Sequence, residues 1–174
     1  TFQYLDCGNI PHVEITYSKD TVDTWLREGH KVYARLTAHG SQGHGIRILR
    51  SPSDAIPSAA FYSKDLRNDD EYRIHVVRGQ LVGRGLKFRK ELDANPDIRN
   101  IDNGWAFRLS PPSVAEVDRV GVSAVNALGM DFGAADIGYC RSTNKAYVFE
   151  VNSAPTMAEL TAQRYAEGFI AASE

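Results

Sequence analysis

The segment 130–156 reads MDFGAADIGYCRSTNKAYVFEVNSAPT and contains the strongest structural signal in the chain. Two largely apolar runs, at 132–140 and 146–151, have the length and composition of strands. The turn-forming sequence Ser142-Thr143-Asn144-Lys145 lies between them. The segment therefore predicts an antiparallel hairpin.

Three side chains with hard oxygen atoms lie on this predicted hairpin. Asp136 belongs to its first strand, and Glu150 and Asn152 belong to its second. Because side chains alternate along a strand, Glu150 and Asn152 share one face, while Val151 points to the other and is predicted to be buried by a helix. The turn brings Asp136 close to position 150 or 152. Two carboxylates and an amide oxygen suit magnesium, so a metal site is predicted, with a solvated edge hairpin as the alternative.

The rest of the chain predicts short strands that meet through turns, with helices between them, which indicates an α+β fold. Strands are predicted at 12–17, 31–36, 46–49, 59–62, 71–77, 80–89 and 105–109. Helices are predicted at 18–28, 113–128 and 157–172. A glycine-rich loop at 37–45, a connector at 51–57 and an exposed polar loop at 90–104 complete the chain.

The composition argues against several classes of partner. The 174 residues include 20 basic and 22 acidic side chains, so neither a nucleic-acid nor a membrane-surface partner is expected. No apolar run approaches the roughly 20 residues of a membrane span, and no signal peptide is evident. Cys7 and Cys140 match no zinc or redox spacing, and two free thiols are expected in a reducing, cytoplasmic compartment.

Other kinds of site fit the sequence less well. Zinc is not expected, because His39 and His44 are five apart in a predicted loop and no cysteine pair completes a tetrahedral set. Ser41 and Cys140 lack the context of a catalytic nucleophile. The glycine-rich loop returns to a strand rather than to a helix, so it is not a dinucleotide fingerprint.

The second strand of the hairpin and the residues after it, Tyr147-Val148-Phe149-Glu150-Val151-Asn152-Ser153-Ala154-Pro155, resemble the magnesium-binding segment of the ATP-grasp superfamily. In that family, an Asp on one strand and a Glu-x-Asn on the next bind two magnesium ions that bridge the ATP phosphates. The resemblance implies that Asp136, Glu150 and Asn152 are the metal ligands, with Mg²⁺ or alternatively Mn²⁺. The family usually follows the proline with glycine, whereas this chain has Thr156.

Two further segments resemble the parts of that family that bind the nucleotide. Lys31-Val32-Tyr33-Ala34-Arg35, followed by a glycine-rich stretch at 39–45, resembles its lysine-bearing strand and phosphate flap. The position of the family's phosphate-contacting lysine is occupied here by Arg35, whose planar guanidinium replaces the compact charge of a lysine ammonium group. The flap residues Ser41, Gln42 and Gly43 are implied to contact the nucleotide. Phe61-Tyr62-Ser63-Lys64 resembles the hinge strand whose backbone reads adenine, which implies roles for Tyr62, Ser63 and Lys64.

The resemblance continues through the basic residues. Glu71, Arg73 and His75 share a strand face, and Glu71-Tyr72-Arg73 resembles the family's Glu-x-Arg strand. Arg73 is therefore implied to line the phosphate site, with Glu71 beside it and Lys87 on the following strand. Arg99, in Arg99-Asn100-x-x-Asn103-Gly104-Trp105-Ala106-Phe107, lies in a signature similar to that of bacteriophage-type members and is implied to hold a carboxylate substrate.

Together these motifs imply an ATP-grasp fold of two α+β subdomains, at 10–57 and 58–172, whose antiparallel sheets enclose Mg-ATP. The implied activity is ATP-dependent carboxylate–amine ligation through an acyl phosphate, on a small-molecule or peptide substrate. An ATP-grasp phosphotransferase and a non-catalytic nucleotide-binding or virion-associated module are the alternatives. Almost nothing precedes residue 10, so the resemblance implies a missing N-terminal domain, a partner subunit or a homo-oligomer, in the cytoplasm of the host if the origin is a phage.

Overall fold

The structure is a computed structural model that describes residues 1–37 and 45–172. Its elements divide between two compact units. In chain order they are α1 (Phe2–Cys7), β1 (Ile15–Thr16), α2 (Lys19–Arg27), β2 (Val32–Arg35), β3 (Ile46–Leu49), β4 (Phe61–Lys64), β5 (Asp70–Val77), β6 (Gln80–Arg89), a 3-10 helix (Ile101–Asn103), β7 (Trp105–Leu109), α3 (Ala115–Ala127), β8 (Phe132–Cys140), β9 (Lys145–Asn152) and α4 (Glu159–Ala171).

The small unit comprises Val13–Arg67 and Arg89–Trp105 and contains a four-stranded sheet in the order β1-β4-β2-β3. Helix α2 begins where the Ser18 hydroxyl accepts a hydrogen bond from the Thr21 amide, a side-chain N-cap. Its apolar stripe packs on one face of this sheet, which forms the small unit's core. The buried members of that core are Val22, Trp25, Leu26, Val32, Ala34, Leu49 and Tyr62.

The large unit comprises Thr1–His12, Asn68–Phe88 and Ala106–Glu174 and contains a five-stranded sheet in the order β7-β6-β5-β8-β9. One face of this sheet is apolar and is covered by α3. The helix comes very close to strand β5 because Gly121 has no side chain; a Cβ there would lie 2.6 Å from the Ile74 Cβ. Because side chains alternate along a pleated strand, the residues between those of the apolar face point to the opposite face of the sheet.

Two helices complete the large unit. Helix α1, which the sequence did not predict, adds the fully buried Leu5 to the core beneath α3. Helix α4 packs on strand β5 through Tyr165, which is 5% exposed. The predicted 157–172 helix is thus present, and it begins two residues later than expected.

The architecture confirms the predicted α+β class, but the compact units do not follow the predicted boundaries at 57 and 58. Strand β4 pairs with β2, Val32 opposite Lys64, so the chain stays in the small unit as far as Arg67. The predicted exposed loop at 90–104 is also part of the small unit, where Asp97 accepts a hydrogen bond from Lys31 Nζ at 2.6 Å. Within the described residues, no helix has the length and apolar character needed to cross a membrane.

Candidate functional site

The face of the large sheet opposite α3 contains the predicted metal ligands and the basic residues next to them, and we call it the charged face. Its members come from four adjacent strands and share one side of the pleat. They are Glu71, Arg73 and His75 on β5, Lys87 on β6, Asp136 on β8, and Glu150 and Asn152 on β9. The sheet thus brings together six of the predicted catalytic, nucleotide and metal residues.

Asp136 and Glu150 lie directly opposite each other in the β8–β9 ladder, as the hairpin predicted. Asn152 follows two residues later on the same strand. Asp136 is 6% exposed, whereas Glu150 is exposed. This arrangement presents two carboxylates and an amide on one side of the hairpin, with one of them accessible to solvent.

A β-bulge creates that pairing. Ile137 pairs with Val148 and Asp136 pairs with Glu150, so Phe149 has no partner residue on β8. Without the extra residue, Glu150 would follow Val148 onto the apolar face, because positions 148 and 150 have the same parity. Local alternation did not indicate the bulge, because a regular strand would place Tyr147, Phe149 and Val151 on one face and Val148, Glu150 and Asn152 on the other.

Arg73 neutralises Asp136 through two parallel hydrogen bonds. Arg73 Nε donates to Asp136 Oδ1 at 2.7 Å and Nη2 donates to Oδ2 at 2.8 Å, the bidentate geometry of a strong guanidinium–carboxylate pair. Burial acts to lower the pKa of Arg73, but Asp136, with Glu150 and Glu71, outweighs it and raises that pKa above its ordinary value. Arg73 therefore stays charged on this face.

Two further polar contacts extend the charged face to either side. Lys87 forms an ion pair with Glu71, and both side chains are largely buried, at 9% and 12% exposure. On the other side, Asn152 Nδ2 donates to Glu150 Oε1 at 3.0 Å. Each of the two cations, Arg73 and Lys87, is thus paired with a carboxylate on a neighbouring strand.

His75 and Tyr165 lie at the end of the charged face covered by α4. The Tyr165 hydroxyl donates to the Gly133 carbonyl oxygen at 2.8 Å, so the His75 Nδ1, 3.1 Å away, donates to that hydroxyl. Burial and the charge of Arg73 lower the pKa of His75 to about 4, and burial raises the pKa of Tyr165 to about 12. Both groups are therefore neutral near pH 7.

The predicted nucleotide residues of the small unit divide between the two faces of its sheet. Arg35 and Ser63 lie on the face away from α2, because their neighbours Ala34 and Tyr62 pack in the core. The Tyr62 side chain is 2% exposed, and its hydroxyl donates to the Pro57 carbonyl oxygen. The Lys64 Nζ lies 5.6 Å from the centre of the Trp25 ring, on the α2 side. The side chains of Tyr62 and Lys64 thus point away from the Arg35 face.

Arg99 lies in the segment of the small unit between β6 and β7. Its guanidinium carbon is 5.2 Å from the centre of the Trp105 ring, and its Nε donates to the Pro96 carbonyl oxygen. The Trp105 indole N–H in turn donates to the Asn95 carbonyl oxygen at 2.7 Å. The segment therefore presents Arg99 on an anchored aromatic ring, which suits an anionic ligand.

Ser41, Gln42 and Gly43, together with His39 and His44, lie outside the described residues. In the described part of the chain, no three His, Cys, Asp or Glu side chains form a metal-binding group. The donor set at the hairpin consists instead of two carboxylates and an amide. Such a set matches Mg²⁺, which takes one or two protein carboxylates and completes its shell with water and phosphate oxygens.

Comparison with solved structures identifies the architecture. The chain is similar to the ATP-grasp ligase PsnB, solved with a minimal precursor, Mg and ADP, with a TM-score of 0.69 over 99% of this chain and 19% sequence identity. The chain has the ATP-grasp fold. D-alanine–D-alanine ligase from Bacillus anthracis is similar at a TM-score of 0.70 over 98% of this chain and 12% identity. D-cycloserine synthetase DcsG is similar at a TM-score of 0.70 over 99% of this chain and 15% identity.

The likeness is one of fold rather than of sequence. The chain spans 57% of the PsnB chain, 66% of the D-alanine–D-alanine ligase and 68% of DcsG. No protein-family model and no curated protein matches the sequence. This chain thus shares its fold with these ligases although fewer than one fifth of the aligned residues are identical.

Two residues that contact the charged face were not predicted from the sequence. Phe107 lies beside Arg73 and Lys87, with its ring centre 4.9 Å from the Arg73 guanidinium carbon. Tyr165 comes from α4, distant in sequence from every motif. Phe107 could have been found, because it falls in the Asn103-Gly104-Trp105-Ala106-Phe107 signature, but nothing local to Tyr165 indicated its contact with His75.

Proposed function

We propose that this protein is an ATP-dependent carboxylate–amine ligase of peptide type. One observation carries the proposal: on an ATP-grasp sheet, Asp136 and Glu150 face each other across a bulged hairpin, with Arg73 and Lys87 on the strands beside them. This is an arrangement of hard oxygen ligands next to cations, as the binding of a metal–polyphosphate requires.

Magnesium would be held by Asp136, Glu150 and Asn152. Both Asp136 oxygens already accept hydrogen bonds from Arg73, but a carboxylate has about four lone-pair sites and can serve a metal as well. When bound, the metal supplies charge neutralisation to the phosphates. The family resemblance favours two ions, with Mn²⁺ as a substitute.

Arg73 and Lys87 would contact phosphate oxygens from the sheet. Arg35 and the flap residues Ser41, Gln42 and Gly43 are proposed as further nucleotide contacts on the family resemblance alone. Glu71 would keep Lys87 oriented through their ion pair. The backbone of the hinge residues Tyr62, Ser63 and Lys64 would bind adenine. Positioning and electrostatic stabilisation are the main contributions a protein makes to phosphoryl transfer.

The proposed chemistry has two steps. A substrate carboxylate oxygen attacks the γ-phosphorus of ATP, ADP leaves, and an acyl phosphate forms. An amine nitrogen then attacks the acyl carbon, phosphate leaves with the C–O bond electrons, and the nitrogen loses a proton. Arg99, stacked on Trp105, is the residue we assign to the substrate carboxylate.

The solved neighbours support a peptide or amino-acid substrate. PsnB was solved with its precursor peptide PsnA2 and AMPPNP, and the macrocyclase MdnC from Microcystis aeruginosa MRC with the precursor peptide MdnA. This chain spans 60% or less of both. The bacteriophage-type resemblance, a cytoplasmic location and an acceptor site on a further domain, partner subunit or second copy stay predictions.

Calorimetry with a non-hydrolysable ATP analogue, with and without magnesium, tests the nucleotide site. We expect magnesium-dependent binding that Glu150→Gln weakens by about tenfold or more, as loss of a metal ligand should exceed the effect of losing one of its outer partners. Thr143→Ala, in the β8–β9 turn, is the matched control. Equal binding with and without magnesium, or by the variant and the wild type, would contradict the metal assignment.

A non-catalytic nucleotide-binding module is the second candidate, and the ion pairs of the charged face favour it. Arg73 is already paired with Asp136, and Lys87 with Glu71, so both cations have carboxylate partners without a ligand. A product assay separates the possibilities. ADP and phosphate release with amide formation supports the ligase, a stable phosphorylated product supports a phosphotransferase, and nucleotide binding without turnover supports the module.

A further inference from the structure

The Phe107 ring contacts two cations that lie on different strands. Its centre is 4.9 Å from the Arg73 guanidinium carbon on β5 and 5.3 Å from Lys87 Nζ on β6. Both distances are within the range of a cation–π interaction. A single aromatic side chain on β7 therefore contacts both of the cations that the charged face contributes.

Gly85 provides the space for this ring. It lies opposite Arg73 in the β5–β6 ladder, two residues before Lys87. A Cβ at position 85 would lie 3.1 Å from Phe107 Cδ1 and 3.5 Å from Phe107 Cβ. Because glycine presents no side chain, the ring can lie over β6 and reach the Arg73 guanidinium on the next strand.

The ring complements the carboxylates without adding charge. Asp136 and Glu71 hold Arg73 and Lys87 in the absence of a ligand, and a phosphate that binds these cations competes with those carboxylates for the same N–H groups. The aromatic face attracts the cations through its quadrupole and accepts no strong N–H bond. It can thus hold the two cationic groups in place while their hydrogen-bond partners change.

The exposure of the cations makes this contact effective. The Arg73 side chain is 19% exposed and that of Lys87 is 9% exposed, and cation–π attraction is stronger where the cation is partly desolvated. The comparable pair on the other side of the sheet, Arg108 over Phe88 at 5.8 Å, involves an exposed arginine.

We propose that Phe107 is a positioning residue that holds Arg73 and Lys87 side by side for the phosphate groups of the nucleotide, in a space that Gly85 leaves open. The proposal rests on the proposed nucleotide site. It concerns the phosphates alone, since the adenosine part of the ligand has no anionic group for the two cations to neutralise.

The test compares the affinities of each variant for a magnesium-bound non-hydrolysable ATP analogue and for adenosine, both by calorimetry. Phe107→Leu removes the ring and keeps apolar bulk. We expect it to weaken binding of the analogue by about fivefold to tenfold and to leave adenosine binding unchanged. Phe107→Tyr retains the ring and should retain wild-type affinity for both ligands. Phe88→Leu makes the same chemical change at the exposed pair and should match the wild type.

The remaining outcomes refute either the proposed function or this inference. A wild type that binds adenosine but gains nothing from the phosphates refutes the proposed function and this inference with it. If the wild type and Phe107→Leu both bind the analogue more tightly than adenosine, and by the same factor, this inference alone is refuted. It is also refuted if Phe107→Leu loses affinity equally for the analogue and for adenosine, because that result indicates a structural role. If Phe107→Leu does not fold, Gly85→Ala replaces it. That change keeps the ring but displaces it, so we again expect a loss of affinity for the analogue and not for adenosine. If the loss is not selective, the proposal is wrong.

Discussion

The two faces of the five-stranded sheet use the same strands and are stabilised in different ways. Ile74 and Arg73 are neighbours on β5, yet Ile74 is fully buried beneath α3 while Arg73 is paired with Asp136 on the opposite face. The apolar face depends on volume and on the exclusion of water. The charged face depends on particular partners in register on adjacent strands.

Stability and the proposed ligand chemistry of the large unit therefore belong to opposite faces of one sheet. Substitutions on the apolar face should change unfolding and leave the ligand chemistry of folded molecules alone. Substitutions at the exposed part of the charged face should do the reverse.

Ile74→Ala should cost about 2–5 kcal/mol of unfolding free energy, because it removes buried methyl groups against Gly121 and leaves a cavity. That is a large share of the roughly 5–15 kcal/mol typical of folded proteins. Ile74→Val should cost about 0.5–1.5 kcal/mol. Urea unfolding measures both values. Magnesium-nucleotide affinity below the transition should stay at the wild-type level, and a parallel loss of affinity would show that the faces are coupled.

Glu150→Gln should lower turnover about 10²–10³-fold, as expected when a group that stabilises phosphoryl charge is lost. Because Glu150 is exposed and its partner Asn152 can still bond to the amide, unfolding free energy should change by less than about 0.5 kcal/mol. ADP release in the presence of substrates and urea unfolding give the two values. Full ADP release by the variant would remove Glu150 from the site.

His75 should make the large unit acid-sensitive. Its pKa is lowered to about 4 from an ordinary value of 6.5, so between these values the unfolded chain binds the extra proton and the folded chain does not. Stability is therefore complete above pH 6.5 and declines by about 3 kcal/mol as the pH falls to about 4. His75→Asn can still donate to Tyr165 and should remove this part of the slope. Thermal unfolding from pH 7 to 4 compares the two proteins; identical slopes would contradict the assignment.

Much of the charged face could be predicted from the sequence, because strand alternation and a short turn are local properties. They placed Asp136, Glu150 and Asn152 on one side of a hairpin. The bulge at Phe149 could not be predicted in this way, because Tyr147, Phe149 and Val151 alternate with Val148, Glu150 and Asn152 as in a regular strand. What no local pattern contains is the partner of each side chain, such as Tyr165 for His75.

Long-range contacts also explain the unpredicted extent of the small unit. Asp97 looked like a residue of an exposed loop, but it accepts hydrogen bonds from Lys31 and Arg50 of the small unit. Burial acts to lower the pKa of Lys31, yet the hydrogen bond to Asp97 helps to raise it overall. A local sequence window cannot reveal ion pairs between such distant positions.

Side chains also alternate between the two faces of the four-stranded sheet, where the smallest effects are expected. Lys64 lies over Trp25 and near Glu14 on the α2 side, whereas Arg35 lies on the opposite face. Lys64→Met should leave nucleotide affinity unchanged and alter unfolding free energy by less than about 1 kcal/mol, the size of an exposed ion pair or cation–π contact. Arg35→Met, its matched partner, should weaken nucleotide binding by removing a phosphate contact. Calorimetry on both variants decides the point: an equal loss from both would mean that the face of the strand does not determine which side chain meets the nucleotide.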